Sequence, residues 1–104
     1  MAATRRAGKP TRISEVLRGF LGRHGLGERL AQADVVLAWP ELVGARIAAH
    51  ALAESVTQDG TLFVRVASAA WRQELSLMTP DIMARLNAGR TTGRIERIRW
   101  VQGG

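Results

Sequence analysis

The sequence predicts an α+β fold: a two-layer sandwich in which a three-stranded sheet carries helices on one face, preceded by an N-terminal helix. Three observations carry that expectation. Leu62, Val64 and Val66 alternate with Phe63 and Arg65, a period of two that buries one side of a strand. Trp71, Leu75, Met78, Ile82 and Leu86 recur at steps of 4, 3, 4 and 4, which keeps them on one helical stripe. Ile98 and Trp100 then alternate with Arg97 and Arg99, a second run of period two.

Residues 1–10 (MAATRRAGKP) are small, basic and without periodicity, and read as a flexible arm. From Thr11, a capping residue, Ile13, Val16, Leu17, Phe20 and Leu21 make an amphipathic helix whose other side is basic. Gly25 and Gly27 end it. A second helical stretch runs from near Glu28 to Leu37–Trp39, and Pro40 permits a fresh helical start with Leu42, Val43 and Ile47 on its apolar side. Gly44 lowers helix propensity there by about 1 kcal/mol relative to Ala, which fits either close backbone approach or simple tolerance.

Gln58-Asp59-Gly60 between Val56 and Leu62 marks a hairpin. Ser68 caps the next helix, and Thr79-Pro80-Asp81 reads as N-cap, first helical residue and first-turn acid. Two helices, about 68–78 and 80–88, therefore meet at a corner, and Asn87-Ala88-Gly89 closes the second. Ile95, Ile98, Trp100 and Val101 mark a last strand before a 102–104 tail. Residues 11–101 thus form one domain, in the order α-β-β-α-α-β after the leader, which is the order of a type II K-homology domain.

Composition narrows the function. With no cysteine among 104 residues there is no disulfide, no thiolate metal site and no cysteine nucleophile. The sequence shows neither an apolar run of about 18 residues nor the apolar core of a signal peptide, so a cytoplasmic protein without a membrane partner is expected. His24 and His50 are the two histidines and stand on different elements. The nine carboxylates show no diagnostic pair, and no phosphate-binding loop motif occurs. The reading is a non-enzymatic protein with no metal, no cofactor and no small-molecule substrate.

Charge points elsewhere. Fifteen basic residues, fourteen of them arginine, face nine acids, for a formal net charge of +6. Residues 1–29 hold seven cations and two acids; residues 30–89 hold four and six; residues 90–104 hold four and one. Basic ends around a mildly acidic middle suit a polyanion, and arginine grips phosphate through a bidentate fork. The candidate nucleic-acid contacts are Arg5, Arg6, Lys9 and Arg12 at one end, and Arg65, Arg94, Arg97 and Arg99 toward the other. If the two strands carrying Arg65 and Arg97–Arg99 pair with their faces aligned, Phe63 joins an arginine patch; otherwise that side is a solvated face.

The string Trp39-Pro-Glu-Leu-Val-Gly44-Ala-Arg-Ile-Ala-Ala-His50, then Asp59-Gly-Thr-Leu-Phe-Val-Arg-Val66 and Ser68-Ala-Ala-Trp71-Arg-Gln-Glu-Leu75, with Leu86-Asn87 and Ile98-Arg99-Trp100 after them, resembles the DciA family. The resemblance runs from about Ile13 to Trp100. Trp39, Val43, Gly44, Gly60, Trp71 and Leu75 occupy its signature positions. It implies a bacterial accessory protein of DNA replication with a K-homology-like domain and no motor of its own. Such a protein binds the replicative helicase, DnaB, and single-stranded DNA and promotes helicase loading. Trp71, Trp39 and Arg72 are the candidate partner contacts. Nucleic-acid-clamping K-homology domains carry a GXXG loop between two helices, whereas Met78-Thr79-Pro80-Asp81 stands at that corner here, so DNA contacts must use other surfaces. The alternative is a general RNA- or DNA-binding domain acting without the helicase.

Overall fold

The computed structural model describes residues 26–103. The expected arm and leading helix, with Arg5, Arg6, Lys9, Arg12 and His24, lie outside them. In chain order the described elements are α1 (Leu26–Val43), α2 (Ala45–Ala48), β1 (Ala51–Val56), β2 (Thr61–Val66), α3 (Ala69–Leu77), α4 (Thr79–Asn87) and β3 (Arg97–Gln102). The expected α+β fold is observed, with one three-stranded sheet in the order β1-β2-β3 and the helices packed on one side of it.

The helix does not restart at Pro40 as the sequence predicts. α1 runs through it, because the proline carbonyl still accepts from Gly44 N–H at 3.0 Å while Trp39 and Val43 on either side are locked into the core. The break falls at Gly44, whose φ of +95° is a left-handed conformation that side chains resist. A Cβ there would meet nothing within 4 Å, so the position needs glycine for its backbone angle and not for space.

β1 and β2 form the expected antiparallel hairpin, with Ala51 opposite Val66 and Val56 opposite Leu62, and a bulge between Ala53 and Ser55. The turn is closed by Thr57 N–H on Thr61 O (2.9 Å) and Gly60 N–H on Thr57 O (3.0 Å). Leu62, Val64 and Val66 are completely buried, as their alternation requires. β3 pairs with β2 in parallel, so the chain must cross back over the sheet, and α3 and α4 make that crossover.

Ser68 caps α3 by accepting from Trp71 N–H at 3.2 Å. Thr79, expected to cap α4, does something else. Met78 holds the N-cap position, and the Thr79 hydroxyl donates to Ser76 O (2.8 Å) while accepting from the Trp100 indole N–H (3.0 Å). It ties the end of α3 to β3.

The core joins α1 (Val35, Trp39), the inner sheet face (Leu62, Val64) and the crossover helices (Leu75, Ile82). At the end of the crossover, buried Asn87 clasps the backbone of Ile95. Its Nδ2 donates to Ile95 O at 2.9 Å and its Oδ1 accepts from Ile95 N–H at 2.7 Å. Asn87→Ala leaves that buried N–H and carbonyl unpaired, at a cost of about 1–3 kcal/mol. Chemical denaturation should show the loss as an earlier midpoint with an unchanged slope. Beside the clasp, Gly93 passes so close to Ala31 of α1 that a side chain there would collide with it. Among the described residues, no helix is long and apolar enough to cross a membrane.

Candidate nucleic-acid interface

In a parallel pair, residues opposite one another point to the same side of the sheet. The β2–β3 register sets Thr61 opposite Arg97, Phe63 opposite Arg99 and Arg65 opposite Val101. The β1–β2 register adds Ser55 opposite Phe63 and Leu52 opposite Arg65. The face turned away from the helices therefore carries Phe63 and three arginines, Arg65, Arg97 and Arg99, in one field, with Leu52 and Val101 exposed at its flanks. The two faces are aligned, as the patch requires.

The three arginines are not equivalent. Arg65 Nε meets Glu54 Oε2 at 2.6 Å, and Arg97 Nη1 meets Asp59 Oδ2 at 3.3 Å while donating to Thr61 Oγ1 at 2.9 Å. Both ion pairs are exposed, so each contributes at most about 1 kcal/mol and a phosphate can displace it. Arg99 makes no ion pair with any described residue. It stands beside the Phe63 ring and borders a shallow depression of about 580 Å³ lined also by Asp59, Thr61 and Arg97. On its other side it borders a groove of about 710 Å³ between α3 and β3, where Arg72 and Gln73 stand. A cation next to an aromatic platform, open on both sides, is the arrangement that holds a single strand by stacking and phosphate contact together.

Asp59 sets the charge at the edge of this depression. Hydrogen bonds from the Thr57 and Thr61 hydroxyls hold its carboxyl below the usual carboxylate range, with Arg97 adding a smaller push in the same direction. The depressed value means that this carboxylate stabilises the turn above the ordinary aspartate range. That contribution is lost as pH falls through the lowered value. An NMR titration should show Thr57→Ala raising the Asp59 midpoint more than Arg97→Ala does.

The remaining expected residues divide. Arg94 is exposed, but its Nη1 donates to Arg90 O at 3.0 Å, in the turn after α4. Arg90 braces structure through Leu86 O, Ala31 O and the Asp34 carboxylate. Trp71 is half-buried, and His50 stacks on it with centroids 4.3 Å apart and planes 15° apart. Trp71 also lines a groove of about 700 Å³ with Ile47, Arg46, Glu74 and Arg85, away from Arg72. Trp39 is the correction. It is completely buried, donates its indole N–H to Ala51 O at 2.9 Å and packs at 6.2 Å from Trp100, which leaves it nothing to offer a partner.

Sequence reasoning missed Leu52 and Val101 as members of the outer face, since Leu52 precedes the stretch that read as strand. Among the described residues, no three His, Asp or Glu side chains gather as metal ligands would.

The family described as Dna[CI] antecedent, DciA, matches residues 12–100. The chain belongs to the DciA family. A UPF0232 protein of Streptomyces coelicolor is 32% identical over 91 residues, covering 86% of this chain and 48% of the relative. A UPF0232 protein of Corynebacterium glutamicum is 37% identical over 71 residues, covering 68% and 39%. A third, from Streptomyces avermitilis, is 30% identical over 95 residues, covering 90% and 52%. The chain spans about half the length of the curated relatives it matches. Within this DciA domain, signature residues Trp39 and Leu75 are core and Gly44 is a backbone requirement, whereas Trp71 is partly open to solvent.

Proposed function

We propose that this chain is a non-enzymatic accessory module of DNA replication that binds the replicative helicase and single-stranded DNA and promotes helicase loading. The observation that carries the proposal is the DciA match over residues 12–100, nearly the whole chain. The fold supports a K-homology-like scaffold through its order α-β-β-α-α-β and its mixed sheet. The outer sheet face supports the DNA contact, with Phe63 as stacking platform and Arg65, Arg97 and Arg99 as phosphate ligands. Half-buried Trp71 and exposed Arg72 supply the helicase contacts, because a partly open tryptophan in a groove is the kind of anchor that protein interfaces bury.

The mechanism is thermodynamic. A loader that binds one helicase conformation more tightly than another shifts the population by the ratio of the two affinities and spends no nucleotide. DNA held on the sheet face meanwhile raises its effective concentration beside the helicase ring. Arg5, Arg6, Lys9 and Arg12 add phosphate contacts by counterion release. Two titrations test the reading. The replicative helicase should be retained on the immobilised protein, and Trp71→Ala should weaken that retention while the fold persists. Removing Arg5, Arg6 and Lys9 together should flatten the dependence of single-strand affinity on salt. Helicase in the unbound fraction at every concentration would contradict the proposal and leave a general nucleic-acid-binding domain.

A further inference from the structure

The described lining of the depression beside Phe63 sets one acid, Asp59, among its arginines. Phe63, Arg97 and Arg99 meet the hairpin turn there through Gln58, Asp59 and Thr61. A carboxylate at the rim of a phosphate-binding face repels the backbone that the face attracts, so phosphate affinity does not account for it. Its geometry suits another task. The turn that carries Asp59 is fastened to the start of β3, because Gly60 O accepts from Glu96 N–H at 2.8 Å and from Arg97 N–H at 3.3 Å. Gly60 itself, at φ +89°, lies so close to Glu96 that a Cβ would strike its side chain. The Thr57 and Thr61 hydroxyls both donate to Asp59 Oδ1, the second at 3.1 Å, while Oδ2 faces Arg97 at 3.3 Å. One carboxylate oxygen is thus fixed by the turn. Among the described residues, the other is held only by an exposed ion pair.

We infer that Asp59 reads guanine in a single strand lying on this face, with Phe63 as the floor under the base and Oδ2 as the acceptor for its Watson–Crick edge. The inference rests on the single-strand contact proposed above and adds a base preference to it. Single-stranded bases are read by stacking on an aromatic ring and by hydrogen bonds to that edge. Guanine is the DNA base whose edge carries two adjacent N–H donors, N1–H and the 2-amino group, and both can converge on one carboxylate oxygen. Adenine and cytosine set a ring-nitrogen acceptor beside their amino group, and thymine flanks its lone N–H with two carbonyls. Each of these turns lone pairs toward the carboxylate. An ionised carboxyl only accepts, and the two threonine hydroxyls keep that of Asp59 ionised below the ordinary aspartate range. Binding is then an exchange of partners. The incoming phosphate takes Arg97, the guanine edge takes the Oδ2 that Arg97 leaves, and neither charge is stranded.

A labelled strand of about nine thymidines, with and without guanine at its centre, tests this by fluorescence anisotropy on the full chain. The guanine strand should bind about tenfold tighter. Inosine at the same place, which lacks only the 2-amino group, should give up most of that preference. Asp59→Asn should move the two affinities in opposite directions. Guanine binding should fall, while oligothymidine binding should rise by about threefold, since Arg97 is freed and a repelling charge is gone. Asparagine before glycine still favours the hairpin turn, mass spectrometry checks that the new amide is intact, and the oligothymidine arm reports that the variant is folded. Equal affinity for the guanine, inosine and thymine strands, or a guanine preference that survives Asp59→Asn, would overturn the inference and leave the single-strand contact standing. Binding of none of the strands would overturn that contact and the inference with it. Deoxyguanosine monophosphate competing as tightly as the whole strand would make the ligand a free nucleotide and overturn it too.

Discussion

Trp39→Ala is expected to cost the domain about 3–5 kcal/mol, a large part of the stability available to a chain of this size. The indole is completely buried, its N–H closes a hydrogen bond to Ala51 O at 2.9 Å, and its ring packs at a tilt of 60° on Trp100. Truncation empties the contact between α1 and the sheet and leaves the Ala51 carbonyl without that donor. At roughly 4–8 °C per kcal/mol for a domain of this length, thermal unfolding should come at least about 12 °C earlier. Trp39→Phe should recover much of the packing but not the hydrogen bond. A signature tryptophan that tolerated alanine with full stability would mean that the core is not built around it.

The second large effect is on binding. Phe63→Ala with Arg99→Ala removes, among the described residues, the aromatic platform of the outer face and the arginine there that pairs with no described acid. One base stacked on an aromatic ring contributes about 1–3 kcal/mol, so affinity for single-stranded DNA should fall by roughly tenfold to a hundredfold. Loss of one phosphate contact should also reduce the salt slope by about 0.7. Both side chains lie outside the core, so the melting transition should stay near that of the parent protein. Arg94→Ala is the control. Its guanidinium is engaged with the Arg90 carbonyl, and its removal should leave DNA affinity nearly unchanged.

Local signals were legible in the sequence. The Asp59-Gly60 turn, the inward set Leu62, Val64 and Val66 and the Ser68 cap follow from residues within a few positions of one another, and each is found where it was expected. What could not be read depends on partners far along the chain. Pro40 stays inside a helix because Trp39 and Val43 are held by the sheet. Thr79 gives up its capping role because Trp100, 21 residues on, supplies an indole N–H. Asn87 looks like a helix-ending residue, yet it is a clasp on Ile95.

The site divides in the same way. Alternation put Phe63 with Arg65 and Arg97 with Arg99, but only the parallel register brings those pairs onto one surface. The ion pairs that occupy Arg65 and Arg97 carry no sequence signature, since Glu54 lies on another strand and Asp59 in the turn. Trp39, Trp71 and Trp100 look alike in sequence, each beside an apolar stripe. Packing alone separates the buried one from the two that are half open.

Titrating the full chain with a short unlabelled oligothymidine, while following backbone amide and arginine side-chain NMR signals, tests the central claim most directly. The expected result is that the largest shifts fall on Phe63, Arg65, Arg97, Arg99 and Val101, with the Trp71 groove unmoved. Shifts confined to the Trp71 groove, or a silent sheet face under saturating oligonucleotide, would contradict it.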